Sequence, residues 1–185
     1  MPTPKLYMIL LGCKPKERLT EQHDMFFCIS ASLKALVPDL KQFWPQGEGN
    51  LHIDAWRTVE WVDGYKITVV ENPIAQASSL GLFFINLGGY EKGHFDELHY
   101  KLLVVANSEG EAVKKAKTAE FYKTAGFSGA RSHIDDQYDV DDLINVQEIL
   151  PDGKYFLHFE QSNDAEQGFD EIHLGYFKLN KLGDG

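Results

Sequence analysis

The sequence predicts an α+β protein: internally duplicated strand-strand-helix-strand units forming mixed or antiparallel sheet with helices packed on it, plus a C-terminal hairpin. Three observations carry this. The apolar run Leu6–Leu11 ends at Gly12 and recurs as Leu82–Leu87 ending at Gly88, at a constant offset of 76. Both runs are continuous rather than alternating, as in strands covered on both faces. Ser108 with Glu111 forms a capping box ahead of Ala112, Val113, Ala116 and Ala119 at helical spacing.

The elements follow in order. LYMILLGC, residues 6–13, ends like a lipoprotein signal. A signal needs a basic n-region and an apolar stretch of roughly 7–15 residues; here one lysine precedes a short run. Its copy lies in mid-sequence, so the run is expected to be retained as a core strand ending at a glycine turn. Gly12 and Gly88 are expected to occupy equivalent turns where a side chain is poorly tolerated, either through positive φ or because the backbone is closely approached. Met25–Ile29 reads as a second strand. A helical stretch from Ser32 to Trp44 follows, split or kinked at Pro38, and Tyr65–Val70 is a third strand. In the second unit the strands are 82–87, 101–105 and 143–150, and the helix starting after Ser108 stops near Gly126. The boundaries are residues 1–72 for repeat 1, 73–81 for a linker of polar and small residues, 82–150 for repeat 2 and 151–185 for a C-terminal partial repeat.

Within the repeat, Glu21 matches Glu97 and His23 matches His99 at the same offset. His52-Ile53-Asp54 matches His133-Ile134-Asp135 at an offset of 81, which implies five residues gained in the second copy. Phe169-Asp170-Glu171-Ile172-His173 echoes Phe95-Asp96-Glu97-Leu98-His99, with Tyr155-Phe156-Leu157 standing for its leading strand.

Composition narrows the function. With 28 acids against 18 bases the net charge is −10, and no basic stripe interrupts it, which argues against nucleic acid. No apolar run approaches the roughly 20 residues of a membrane span, so no membrane partner is expected. Cys13 and Cys28 form neither a CxxC pair nor a repeated disulfide, and a cytoplasmic location is expected.

The chemistry-bearing candidates are Glu-x-His and His-x-Asp. Residues two apart on a strand share a face, so Glu21 with His23 presents a carboxylate beside an imidazole. If His52 and Asp54 fold back on them, the set has the chemistry of a zinc, manganese or iron site, or of general acid–base catalysis. Glu21, His23, His52 and Asp54 are therefore the catalytic candidates. Trp56, Trp61, Glu97, His99, His133 and Asp135 are candidates for ligand binding. Threefold recurrence of Glu-x-His favours a structural role, since every copy must close the same loop. Asp135, Asp136, Asp139, Asp141 and Asp142 lack the glycine and terminal glutamate of a calcium loop and read as a solvated turn. Trp44, Trp56 and Trp61 read first as packing residues and second as the lining of an apolar pocket.

The leading strand with Leu-Gly, Glu-x-His, His-Ile-Asp and Phe43-Trp44-Pro45 resembles the bacterial family known as domain of unknown function 1543, over roughly residues 5–150. The resemblance implies a bacterial source and one or two copies of the domain. It supplies no activity, cofactor or catalytic residue. The function expected from the sequence is thus a non-catalytic binding or interaction module on a pseudo-twofold duplicated scaffold, taking a small molecule or a protein, with homodimer formation open. No cofactor and no metal is assigned. The alternative is a metal-dependent or general acid–base enzyme using the Glu-x-His and His-x-Asp elements of repeat 1.

Overall fold

The computed structural model describes residues 3–47, 49–71, 79–89, 93, 95–118, 138–151, 153–162 and 168–183. The chain divides into two compact units, one made of Met1–Ile74 with Leu150–Gly185, the other of Ala75–Ile149.

In the first unit, β1 (Lys5–Cys13), β2 (Gln22–Ser30), β3 (His52–Thr58) and β10 (His173–Lys178) form an antiparallel sheet ordered β10-β3-β1-β2. Tyr7, Ile9 and Leu11 point to one face. There they pack with Cys28 and Ile53 against Leu33, Leu36 and Leu40 from the helical stretch. That stretch is a 3-10 turn, Lys34–Leu36, running into α1 (Val37–Phe43). Pro38 sits in the first turn of α1, where its missing N–H has no intrahelical partner to lose, so the helix is split there as expected. A second sheet joins β4 (Trp61–Val62), β5 (Tyr65–Val70) and β9 (Phe156–Gln161). The corner between the sheets is tied by Asp170, whose buried carboxylate accepts the backbone N–H groups of Glu60 and Trp61 at 3.1 Å.

In the second unit β6 (Gly81–Gly89) lies between β7 (Leu98–Ala106) and β8 (Tyr138–Asn145), again antiparallel. Helix α2 (Glu109–Ala116) begins at Ser108, whose hydroxyl accepts the Glu111 N–H. Its Ala112 and Ala116 pack on Phe83, Ile85, Leu87 and Val104, and a short α3 (Val146–Ile149) follows β8. Ala119 and Gly126, expected in and after the helix, lie outside the described residues, as does most of the expected linker.

The two sheets share their registers. Lys5–Cys13 pairs with Ser30–Gln22, and Gly81–Gly89 pairs with Ala106–Leu98, each residue displaced by 76. On the other side of the leading strand, Gly12 pairs with His52 and Tyr7 with Thr58, while Gly88 pairs with Asp139 and Phe83 with Asn145. That displacement is 87. Both third strands carry an irregularity at the same step, between Leu10 and Leu11 and between Asn86 and Leu87.

Several expectations are corrected. The third strand beside β1 is β3, not Tyr65–Val70, which belongs to the second sheet. His52 and Asp54 therefore lie in a strand. Residues 143–150 are the end of β8 followed by α3, and the paired third strands stand 87 residues apart rather than the 81 expected. The C-terminal segment is not a hairpin: β9 pairs with β5 and β10 with β3, because each completes a different sheet edge. Finally, Gly12 and Gly88 are in strands rather than turns and have no positive φ; of the two reasons expected for glycine, close approach is the one that holds.

Candidate metal centre

Directly paired residues of an antiparallel sheet point to the same face. Leu11 and Ile53 point into the helix-covered core, so the next row, His23–Gly12–His52, points to the opposite face. The central member has no side chain. The register shift at Leu10/Leu11 leaves Asp54 as the extra residue of a bulge, which re-aims its carboxylate over Gly12. A Cβ on Gly12 would collide with Asp54 Oδ2 and stand 2.5 Å from His52 Nε2. Glu21 immediately precedes β2 and reaches the same place from the loop.

The four candidates of repeat 1 are thus brought together. His52 Nε2 lies 3.0 Å from Glu21 Oε1 and 3.2 Å from Asp54 Oδ1. His23 Nε2 lies 3.1 Å from Asp54 Oδ2 and 4.0 Å from Glu21 Oε2. His52 is 2% exposed, and its Nδ1 meets the carbonyl oxygen of Asn50 at 2.8 Å. If neutral, the ring donates from Nδ1 to that carbonyl and turns a bare Nε2 toward the carboxylates. The Tyr176 ring, 4.1 Å between centroids, packs on it. Among the described residues neither His52 Nε2 nor Asp54 Oδ2 has a hydrogen-bond partner, although charged groups lie within 3.2 Å. The carboxylate oxygens lie close to Nε2 without the alignment of a hydrogen bond, a spacing that a shared cation would also give. Two donors bound at about 2.1 Å to one ion, at angles between octahedral and tetrahedral, are roughly 3.0–3.4 Å apart. Three of the separations, 3.0, 3.1 and 3.2 Å, fall in that range, and the fourth, His23 to Glu21 at 4.0 Å, lies outside it.

The second unit repeats the arrangement with different residues. Glu97, His99 and Asp141 have ligand atoms all within 4.8 Å of one another, and His99 Nε2 is 3.4 Å from Asp141 Oδ2. They too meet over a glycine: a Cβ on Gly88 would collide with Asp141 Oδ2 and stand 2.8 Å from Glu97 Oε1. Asp141 is the extra residue of this bulge, hence the counterpart of Asp54, and Asp139 occupies the register of His52. Asp139, Asp141 and Asp142 therefore lie in a strand, while Asp135 and Asp136 lie outside the described residues, and Asp141 is the site residue that the sequence reading missed. The available signal was the pattern polar–β-branched–Asp, shared by His52-Ile53-Asp54 and Asp139-Val140-Asp141. His133 and Asp135, candidates on the offset of 81, lie outside the described residues.

The remaining candidates do other work. Trp56 stacks on His173, 3.9 Å between centroids and 15° between planes, and Trp61 lies where a Cβ on Gly168 would strike its indole. The third Glu-x-His is thus packing in its histidine, whose Nδ1 is 3.8 Å from Glu171. A separate open cavity of about 830 Å³ is lined by Trp44, Lys41, Lys178 and Tyr176 among others, but by none of the four clustered residues. Of the three tryptophans, only Trp44 lines it.

Residues 18–69 match the model of the Domain of Unknown Function DUF1543. Over this segment the chain is similar to that family. The match is narrower than the resemblance over roughly residues 5–150, and it contains all four of Glu21, His23, His52 and Asp54. The fold is similar to the crystal structure of a protein Il1583 from Idiomarina loihiensis, with a TM-score of 0.61 and 21% identity over 97% of this chain and 99% of that one. No curated protein matches the chain. Among the described residues, no helix is long and apolar enough to cross a membrane.

Proposed function

We propose that the protein is a binding module whose first unit holds one divalent transition-metal ion through Glu21, His23, His52 and Asp54. One observation carries the reading: the buried His52 Nε2, without a hydrogen-bond partner among the described residues, faces two carboxylate oxygens at 3.0 and 3.2 Å. Two imidazole nitrogens and two carboxylates suit zinc first, then iron or manganese. The Asn50 carbonyl behind Nδ1 is the outer partner that orients a metal-bound imidazole. The duplicated registers support an origin by repetition of one strand-strand-helix-strand unit. The free thiols of Cys13 and Cys28 fit a cytoplasmic setting.

A catalytic use of the same centre is the second reading. It is favoured by the exposure of His23 and Glu21, 45% and 43% in their side chains, which leaves one side of an ion open to water or substrate. The test of binding is elemental analysis of the full chain followed by zinc titration against a chromophoric chelator. One equivalent is expected, lost in His52→Ala and Asp54→Asn. A parent chain that takes up no stoichiometric transition metal overturns the proposal.

A further inference from the structure

We infer that the second unit carries a separate cation site at Glu97, His99 and Asp141, and that it takes a hard, hydrated dication of the magnesium, manganese or calcium class.

The position is set by the same sheet geometry as in the first unit. Glu97 precedes β7, His99 pairs with Gly88, and the bulge at Asn86/Leu87 swings Asp141 over that glycine. Two features differ, and both shift the chemistry toward oxygen. The register of His52 is held by Asp139, so the row contributes one imidazole instead of two. The described donors are then one nitrogen and two carboxylates, all three exposed, a set that leaves most of a coordination sphere to water.

The second feature is the row behind the site. In the first unit that row is Met25–Leu10–Ala55, which offers an aquo ion no hydrogen-bond partner. In the second it is Lys101–Asn86–Asp142. Asn86 is 8% exposed and shares the face of Gly88, two residues along β6. Its Nδ2 donates to Asp142 Oδ2 at 3.1 Å, while its Oδ1 is buried with no partner among the described residues. A buried acceptor of this kind is ordinarily satisfied by ordered water. Water bound to a dication is a strong donor, and this amide lies on the face of the cluster, one row behind it. The first site binds its ion by direct contacts alone; the second holds its ion partly through that water. Lys101 and Asp142 are the exposed members of the row, of opposite sign, so the row as a whole adds little net charge to the site.

The experiment uses the full chain, loaded with one equivalent of zinc and desalted, then titrated with Mn²⁺ while free Mn²⁺ is followed by electron paramagnetic resonance. One further equivalent of Mn²⁺ is expected. Asp141→Asn and Glu97→Gln, both at exposed positions, should weaken it by more than the roughly 10- to 100-fold that loss of an outer-shell partner costs. His23→Ala, without zinc loading, should still take up this equivalent. Retention of it in both second-unit variants, or its absence from the parent, overturns the inference. Its loss in His23→Ala also overturns it, since the ion would then belong to the first site. Failure of zinc to bind, with Mn²⁺ still lost in Asp141→Asn, would refute the proposed function and leave this inference standing.

Discussion

Gly12→Ala separates a metal centre from a structural lock, because it adds one methyl group where the donors converge. The strand backbone at Gly12 does not have positive φ, so alanine introduces no backbone strain there and even recovers about 0.5–1 kcal/mol of the entropy that glycine loses in a strand. Against this, the new Cβ overlaps Asp54 Oδ2 and stands 2.5 Å from His52 Nε2. Overpacking of this kind costs about 1–3 kcal/mol, and Asp54, 26% exposed in its side chain, has some room to swing aside, so the net loss is expected at roughly 0–2 kcal/mol. Zinc is affected far more. The imidazole must retreat by roughly 1 Å to reach ordinary contact, whereas metal–ligand distances tolerate only about 0.2 Å. Zinc affinity should fall at least about 100-fold, some 2.7 kcal/mol. The assay is a chelator-competition titration beside a urea melt in EDTA. If Gly12→Ala binds zinc like the parent, or loses its stability in proportion to its zinc affinity, the reasoning fails.

Other outcomes follow from the same geometry. His23→Ala should abolish tight zinc binding while changing the EDTA melt by less than about 0.5 kcal/mol, since its side chain is 45% exposed. Zinc at about 100 times its dissociation constant should stabilise the parent by about 2.7 kcal/mol, measured by melting with and without EDTA. Ile9→Asp, at a position 0% exposed, should cost several kcal/mol by urea denaturation. Asp170→Ala strands the N–H groups of Glu60 and Trp61 and should cost about 1–3 kcal/mol, whereas Asp170→Asn keeps an acceptor and should cost less near neutral pH. Burial raises the Asp170 pKa above its ordinary value, against the two N–H donors and Arg57 that lower it. The folded chain then holds this proton more tightly than the unfolded one. Its contribution is present below the ordinary carboxylate range and is lost as pH rises through the folded value, so Asp170→Asn should flatten the acid side of the stability profile.

The leading strands, the capped helix at Ser108 and the split at Pro38 were legible because each is a local pattern: a continuous apolar run, a hydroxyl three residues before a glutamate, a missing donor. The grouping of Glu21, His23, His52 and Asp54 was legible as residue types but not as a row, since the bulge that lifts Asp54 over Gly12 depends on pairing between distant strands. The same blindness hid Asp141. A match on the letters His-Ile-Asp selected residues 133–135, while the pairing of Gly88 selects Asp139 and displaces the alignment by six residues. Threefold recurrence of Glu-x-His suggested buried imidazoles pinned in every copy. The structure instead exposes His23 and His99, 45% and 41% in their side chains, and buries His52. The C-terminal strands escaped the reading because a strand says little about which sheet edge it will complete.

The partnership of β3 with β10 has a bearing on how the protein is made. His173 pairs with Trp56 across about 117 residues of chain, and the whole second unit is synthesised in between. That second unit is one continuous stretch, so it can fold as soon as it clears the ribosome. The first cannot: its earlier residues must wait with one sheet edge unpaired and Trp56 without its stacking partner until β10 arrives. Domains generally fold as units in order of synthesis, and here the interrupted one, which carries the four clustered residues, is completed last. The ring of Tyr176 closes on His52 in the same late event, so the cluster of Glu21, His23, His52 and Asp54 acquires its final surroundings only when translation has passed the second unit.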